Sequence, residues 1–199
     1  MVMNEQKIIN EALKHVIDLL GKVNHYPYHN INHTLDVYSR VWHLADKEFV
    51  YLEEKTDLLL AALFHDTWFV ESYFQNEIIG AKIARKYLES ISFREDRIKR
   101  IENMILATII FSPAKNKFEK IIQDADFDNL WRRDFLVKSL LVKKELNIIT
   151  SQEISIKDWF ETTYILMRKH SFKTLTAKSE RDQIKKENIL KLKEKIKSS

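Results

Sequence analysis

The chain has no cysteine, and only two glycines and two prolines among its 199 residues. Without cysteine neither a disulfide framework nor a thiolate-bound metal can form, and an oxidising compartment has left no mark, so the cytoplasm is the expected location. So little glycine and proline leaves almost none of the turn chemistry that hairpins and β-sandwiches require, which predicts an all-α fold. No apolar run approaches the length needed to span a bilayer. The N-terminus Met1-Val2-Met3-Asn4-Glu5-Gln6 turns polar and charged before an export signal could form, and no membrane partner is expected.

What the chain does have is helical periodicity and enough apolar residues, 45% of the total, to fill one sizeable core. Ile8, Ile9, Ala12, Leu13, Val16, Ile17 and Leu20 recur at the spacing of one helix face, and Gly21 is placed to end that helix. Ser92-x-x-Glu95 and Ser155-x-x-Asp158 read as capping boxes that open further helices. The pattern predicts about eight or nine helices in a single domain over 1–199: the first, then roughly 30–47, 55–66, 74–90, 93–111, 115–128, 130–148, 156–170 and 176–197.

Within this helical, apolar background a few residues stand out as metal-ligand types. Leu58-Leu59-Leu60-Ala61-Ala62-Leu63-Phe64 is unbroken and apolar, so it delivers His65 and Asp66 to the end of a helix that should be buried. A buried imidazole and carboxylate need partners, and one divalent cation can partner both. His33, and Asp126 at the end of Ile121-Ile122-Gln123-Asp124-Ala125-Asp126, could complete the shell. Each element also has a plain structural reading. His29 and His33 can be polar residues on one face at a helix start after Pro27, His65 can interact with a helix dipole, and Asp124 or Asp126 can cap a turn.

Histidine, then His-Asp, then Asp, in this order and on helices, resembles the HD superfamily of metal-dependent phosphohydrolases. The segment Tyr28-His29-Asn30-Ile31-Asn32-His33 is similar to the Tyr-His-Asn-x-x-His signature of cyclic-nucleotide phosphodiesterases and of a group of uncharacterised bacterial HD hydrolases. The bacterial group matches better, through Phe64-His65-Asp66, Asn76-Glu77 with Ala81, Ala107-Thr108, and Asp124-Ala125-Asp126 followed by Leu130. The resemblance implies an HD-type helical bundle whose metal-binding core covers about 25–150, with helices 155–197 packed on it. It implies one divalent cation (Mn, Mg, Co, Ni, Fe or Zn are not distinguished) on His33, His65, Asp66 and Asp126. It also implies His29 as the acid that protonates the leaving oxygen, Asn30 as a substrate contact, and Glu77 as an acid beside the metal or a group orienting water.

The departures narrow the class. Between Asp66 and Lys169 there is no histidine, so a second histidine-bound metal is not expected. Phe69 stands three after Asp66, where the HD nucleotidases and alarmone hydrolases carry an acid. The cyclic-nucleotide phosphodiesterases lose support as well, because the chain is short for their catalytic domain. What is left is a phosphohydrolase that cleaves a phosphoester of a small phosphorylated metabolite or nucleotide. The alternative is a catalytically degenerate HD domain that serves as a metal- or nucleotide-binding sensor or interaction module.

Residues 168–199 hold 11 Lys and Arg against 4 Asp and Glu, whereas 1–167 hold 22 against 25. The plain reading is a solvated terminal helix with i,i+4 pairs such as Asp182 with Lys186. The sharper one assigns Arg181 and Lys185 to a substrate phosphate. Trp68, Tyr73, Phe74 and Trp131 could stack on a base, although such spacing is more often core. No nucleic-acid partner is expected, because the aromatics are scattered and no nucleic-acid motif appears. A homo-oligomer is compatible with the sequence.

Overall fold

A computed structural model describes residues 4–23, 25–70 and 76–198. Among these residues it contains nine α-helices, short 3-10 turns and no strand, as the scarcity of turn residues predicts. Tyr73 and Phe74 lie outside the described residues. The chain divides into two compact units, Met1–Asp126 and Phe127–Ser199, and the division falls at the end of Asp124-Ala125-Asp126.

The first unit comprises α1 (Glu5–Leu20), α2 (Ile31–Lys47), α3 (Leu52–Phe64), α4 (Asn76–Ser90), α5 (Glu95–Leu106) and α6 (Lys117–Asp126). Its centre is α3. Every residue from Thr56 to Phe64 is buried, which follows from a helix that is apolar all round and has no face to offer water. Helices α1, α2, α4, α5 and α6 all pack against it. Each of Leu58, Leu59, Leu60, Leu63 and Phe64, at 1% exposure or less, gains about 1.5–3 kcal/mol from burial.

A charge cluster sits in this core. Asp57 is fully buried, and its two carboxylate oxygens accept from Arg97 Nε at 2.7 Å and Arg100 Nη1 at 2.7 Å. Arg97 also grips Glu5 with both terminal nitrogens, at 2.9 and 2.8 Å. The cluster therefore ties α1, α3 and α5 together. Breaking a buried pair from one side costs about 3–5 kcal/mol, but Arg100 would still partner Asp57. Arg97→Met is accordingly expected to lower unfolding free energy by about 2–3 kcal/mol, measured by urea denaturation; a loss within about 0.5 kcal/mol would show that the cluster does not hold the helices.

Two helix ends differ from expectation. Ser92 does not cap α5: it adopts a left-handed φ of 55°, and Arg94 takes the cap position without a side-chain hydrogen bond. The acids Glu95 and Asp96 favour that N-terminus instead, through the helix dipole. The helix also stops at Leu106 rather than 111, where Thr108 Oγ1 donates to Ile105 O at 2.7 Å and Phe111 turns to φ 63°. The Ser155 box does form, with Ser155 Oγ accepting from Asp158 N at 3.0 Å. Gly21 follows α1 as expected but keeps a right-handed φ of −57°, leading into a 3-10 turn.

The second unit comprises α7 (Phe135–Thr150), α8 (Ile156–Lys169) and α9 (Leu175–Ser198), preceded by a 3-10 turn at Phe127–Trp131. Asn188 on α9 donates to the carbonyls of Leu130 and Arg132, at 3.1 and 2.8 Å, which fastens α9 to that turn. His170 packs its ring on Trp131 (4.7 Å), Phe127 (5.5 Å) and Phe172 (5.0 Å). Burial, then the nearby Lys185 and Lys173, hold its imidazole down to about 3. The unfolded chain binds that proton near 6.5 while the folded one refuses it. The stability contributed by neutral His170 is thus complete above about 6.5 and is lost as pH falls towards 3, by up to about 1.4 kcal/mol per pH unit. His170→Gln should flatten this part of the acid decline in urea titrations; parallel curves for wild type and variant would show that another group controls it.

Candidate metal centre

Helix α2 begins at Ile31, capped by Asn30, whose Oδ1 accepts from Asn32 N at 2.9 Å. The Asn30 amide nitrogen donates to Tyr26 O at 2.9 Å and Pro27 O at 3.3 Å, so both ends of its side chain fix the approach to α2. His33, Val37, Arg40, Val41 and Leu44 form the buried face, and His33 is the first residue on it. Helix α6 brings the fourth expected ligand. Asn116 Oδ1 accepts from Phe118 N and Glu119 N at 2.9 and 3.0 Å, while Glu119 accepts from Lys115 N at 2.6 Å. Ile121, Ile122 and Ala125 bury the helix, and Asp126 is its last residue.

Helix α3 ends at Phe64, and its free terminal carbonyls are satisfied by the residues that follow. His65 Nδ1 lies 2.8 Å from Ala62 O. A carbonyl only accepts, so Nδ1 carries a hydrogen, and in the neutral ring Nε2 is the nitrogen whose lone pair is free for a cation. Thr67 Oγ1 donates to Phe64 O at 2.8 Å. The helix-end role of His65 and a ligand role therefore coexist, one on each ring nitrogen.

His33, His65 and Asp66 each offer a ligand atom, all within 4.8 Å of one another. Asp66 Oδ2 is 3.2 Å from His33 Nε2 and 3.1 Å from His65 Nε2. Asp126 Oδ1 is 3.4 Å from His33 Nε2 and 3.6 Å from His65 Nε2. Asp126 thus approaches both imidazoles, and Asp124, two residues before it, is fully buried. Burial opposes charge on all four groups. The imidazoles and carboxylates nevertheless favour each other's charged forms enough to hold His65 well above its ordinary value and Asp66 well below.

These residues fit a divalent cation. His65 Nε2 and Asp66 Oδ2 are buried and make no hydrogen bond, although orphaned buried polar atoms cost about 1–3 kcal/mol each. With ligand bonds of about 2.0–2.2 Å, neighbouring donors across a cation are separated by roughly 2.8–3.6 Å, which brackets the separations of 3.1–3.6 Å found here. Two imidazoles and two carboxylates form a donor set for a borderline or hard divalent ion.

His29 stands beside this cluster, but not by the helical step expected from its spacing. It precedes the Asn30 cap, outside α2. Its ring stacks on Phe69 at 4.5 Å and meets Tyr28 and His33 edge-on at 4.7 and 5.6 Å, so aromatic packing positions it. Glu77 lies half-buried in the first turn of α4. Burial and then the charges of Asp66 and Asp126 raise its carboxyl above the usual range. The sequence reading gave no role to Gly80, one turn after Glu77. A Cβ there would come within 3.0 Å of His65 O and 3.1 Å of Phe64 O, so only glycine lets α4 cross the end of α3 this closely.

Arg181 holds Asp128 with two bonds, at 2.8 and 3.0 Å, and Lys185 Nζ donates to His170 O and lies over the Trp131 ring at 5.0 Å. Both sets of contacts are internal to the second unit. Trp68 and Trp131 are 3% and 0% exposed, which makes them core residues rather than platforms for a base.

No curated protein matches the chain. Among solved structures, it is similar to the Lin1889 protein of Listeria innocua, at 21% identity and a TM-score of 0.66 over 98% of each chain; that likeness speaks for the fold. Residues 30–127 match the family model of the HD domain, a family that binds divalent metals and is typical of metal-dependent hydrolases. The match runs from the Asn30 cap to just past Asp126 and so takes in His33, His65, Asp66 and Asp126: the chain carries an HD domain.

Proposed function

We propose that the protein is a metal-dependent phosphohydrolase that cleaves a phosphoester of a small phosphorylated metabolite, nucleotides included. The observation that carries this reading is the convergence of His33, His65, Asp66 and Asp126, with two of their ligand atoms buried and lacking hydrogen bonds. These four would hold one divalent cation, which when bound supplies a hydroxide nucleophile at neutral pH and polarises the phosphoryl group. His29 donates a proton to the leaving oxygen. Glu77, held towards its protonated form by burial and by the two aspartates, orients the attacking water through a hydrogen bond. The reading does not call on Asn30, Arg181 or Lys185, whose polar groups are engaged elsewhere.

The test is phosphate release from a panel of phosphorylated metabolites and nucleotides in the presence of Mn²⁺, Mg²⁺, Co²⁺ or Ni²⁺. Metal-dependent release from some of them, abolished by EDTA, is expected. Silence across the panel from a protein that still binds Mn²⁺ through His65 would favour the sensor reading instead.

A further inference from the structure

The turn that follows α3 does more than end it. Thr67–Val70 is a 3-10 turn, closed by Thr67 Oγ1 on Phe64 O and by Phe69 N on Asp66 O at 3.4 Å. This folds Trp68 back over Asp66, and its indole N–H donates to Asp66 Oδ1 at 3.3 Å. The other carboxylate oxygen, Oδ2, is the one near both imidazoles and the one without a hydrogen bond. The Trp68 ring is itself fixed: it is 3% exposed and stacks on Phe69 at 3.3 Å, which in turn stacks on His29.

We propose that Trp68 is a positioning residue for the cation site: by occupying Asp66 Oδ1, it reserves Oδ2 as the single oxygen that faces the metal. The inference rests on the metal reading given above. The physical reason is the symmetry of a carboxylate. Rotation about its last torsion is soft and roughly two-fold, so an untethered Asp66 could present either oxygen, or both together to one cation. A buried donor on one oxygen makes the two unequal and removes that freedom before the metal arrives. Hydrogen bonds of this kind to metal-binding carboxylates typically contribute about 10–100-fold in metal affinity.

The experiment compares wild type, Trp68→Phe and Asp66→Ala as full-length proteins. Phenylalanine keeps an aromatic ring against Phe69 and lacks the N–H. Calorimetric titration of the metal-free proteins with Mn²⁺ is expected to give Trp68→Phe an affinity about 10–100-fold weaker at unchanged stoichiometry, with the melting temperature of the metal-free form preserved. The visible absorption of the Co²⁺ form should also change, because Asp66 is free to bind through both oxygens; a purely structural role for Trp68 would leave that spectrum alone. Wild-type Mn²⁺ affinity and Co²⁺ spectrum in Trp68→Phe overturn the proposal. Wild-type Mn²⁺ binding in Asp66→Ala overturns the metal reading itself, so the two failures are separable. Should Trp68→Phe not fold, the indole N–H resonance of Trp68 in nitrogen-15-labelled wild type, assigned through its proximity to the Phe69 ring, decides the question: it is expected to move as Zn²⁺ is added to one equivalent, and a resonance that stays put overturns the proposal.

Discussion

Replacing His65 with alanine is expected to strip the protein of its divalent cation and reduce metal-dependent turnover to background. His65 Nε2 is buried, bare of hydrogen bonds and 3.1 Å from Asp66 Oδ2, so alanine there removes one of the three mutually close ligand atoms of His33, His65 and Asp66. Loss of a direct ligand should exceed the roughly 10–100-fold penalty that follows loss of a group merely hydrogen-bonded to one. Metal analysis of the purified variant, with Mn²⁺ calorimetry, measures the effect; metal bound as in wild type would sink the assignment. Asp126→Ala should behave like His65→Ala, because Asp126 Oδ1 lies 3.4 and 3.6 Å from the two imidazoles, and Asp124→Ala should keep its metal. Affinity in the wild type should rise with pH. The carboxylates hold both imidazoles above their ordinary value, so a cation must displace protons that are still bound there.

The candidate cluster draws notice in the sequence because its chemistry conflicts with its setting. An imidazole and a carboxylate at the end of Leu58–Phe64 contradict everything around them, and a shared cation resolves the conflict. The same logic failed for Asp57, which follows Glu53, Glu54 and Lys55 in sequence and so looks like the end of a wet face. Its partner Arg97 is 40 residues away, and pairing at that distance leaves no periodic trace. His29 lies near His33, but not on a shared helix face. Four-residue spacing suggests a helical face, but the Asn30 cap starts the helix after His29, and contacts with Phe69 from another turn take over. Asn116-x-x-Glu119 was visible in principle as a variant capping box. Gly80 and Trp68 were not, because a close backbone approach and an i to i−2 side-chain bond in a 3-10 turn depend on how helices meet, which no local pattern encodes.

His29→Gln is expected to bind metal as wild type does and to lose about 10²–10⁴-fold in turnover on substrates with poor leaving groups, since that is the usual worth of a positioned general acid. At about 1.4 kcal/mol per tenfold, the barrier rises by roughly 3–5 kcal/mol. The metal should stay because the mutually close ligand atoms belong to His33, His65 and Asp66, and His29 is not among them. Glutamine approximates the size of the ring and can still form hydrogen bonds, but it cannot give up a proton. Leaving-group dependence separates a proton donor from a residue that only holds substrate. A nitrophenolate needs little protonation as it departs, so the variant should regain much of the lost rate on nitrophenyl phosphate, whereas an alkyl phosphate should remain slow. An equal deficit on both substrates would assign His29 to substrate positioning, and undiminished turnover of the alkyl phosphate would remove it from the mechanism. Phe69→Leu provides the structural counterpart. It withdraws the ring against which His29 is stacked at 4.5 Å while leaving the acid in the chain, so at saturating metal, needed because Trp68 stacks on the same ring, it should show a weaker form of the same leaving-group dependence.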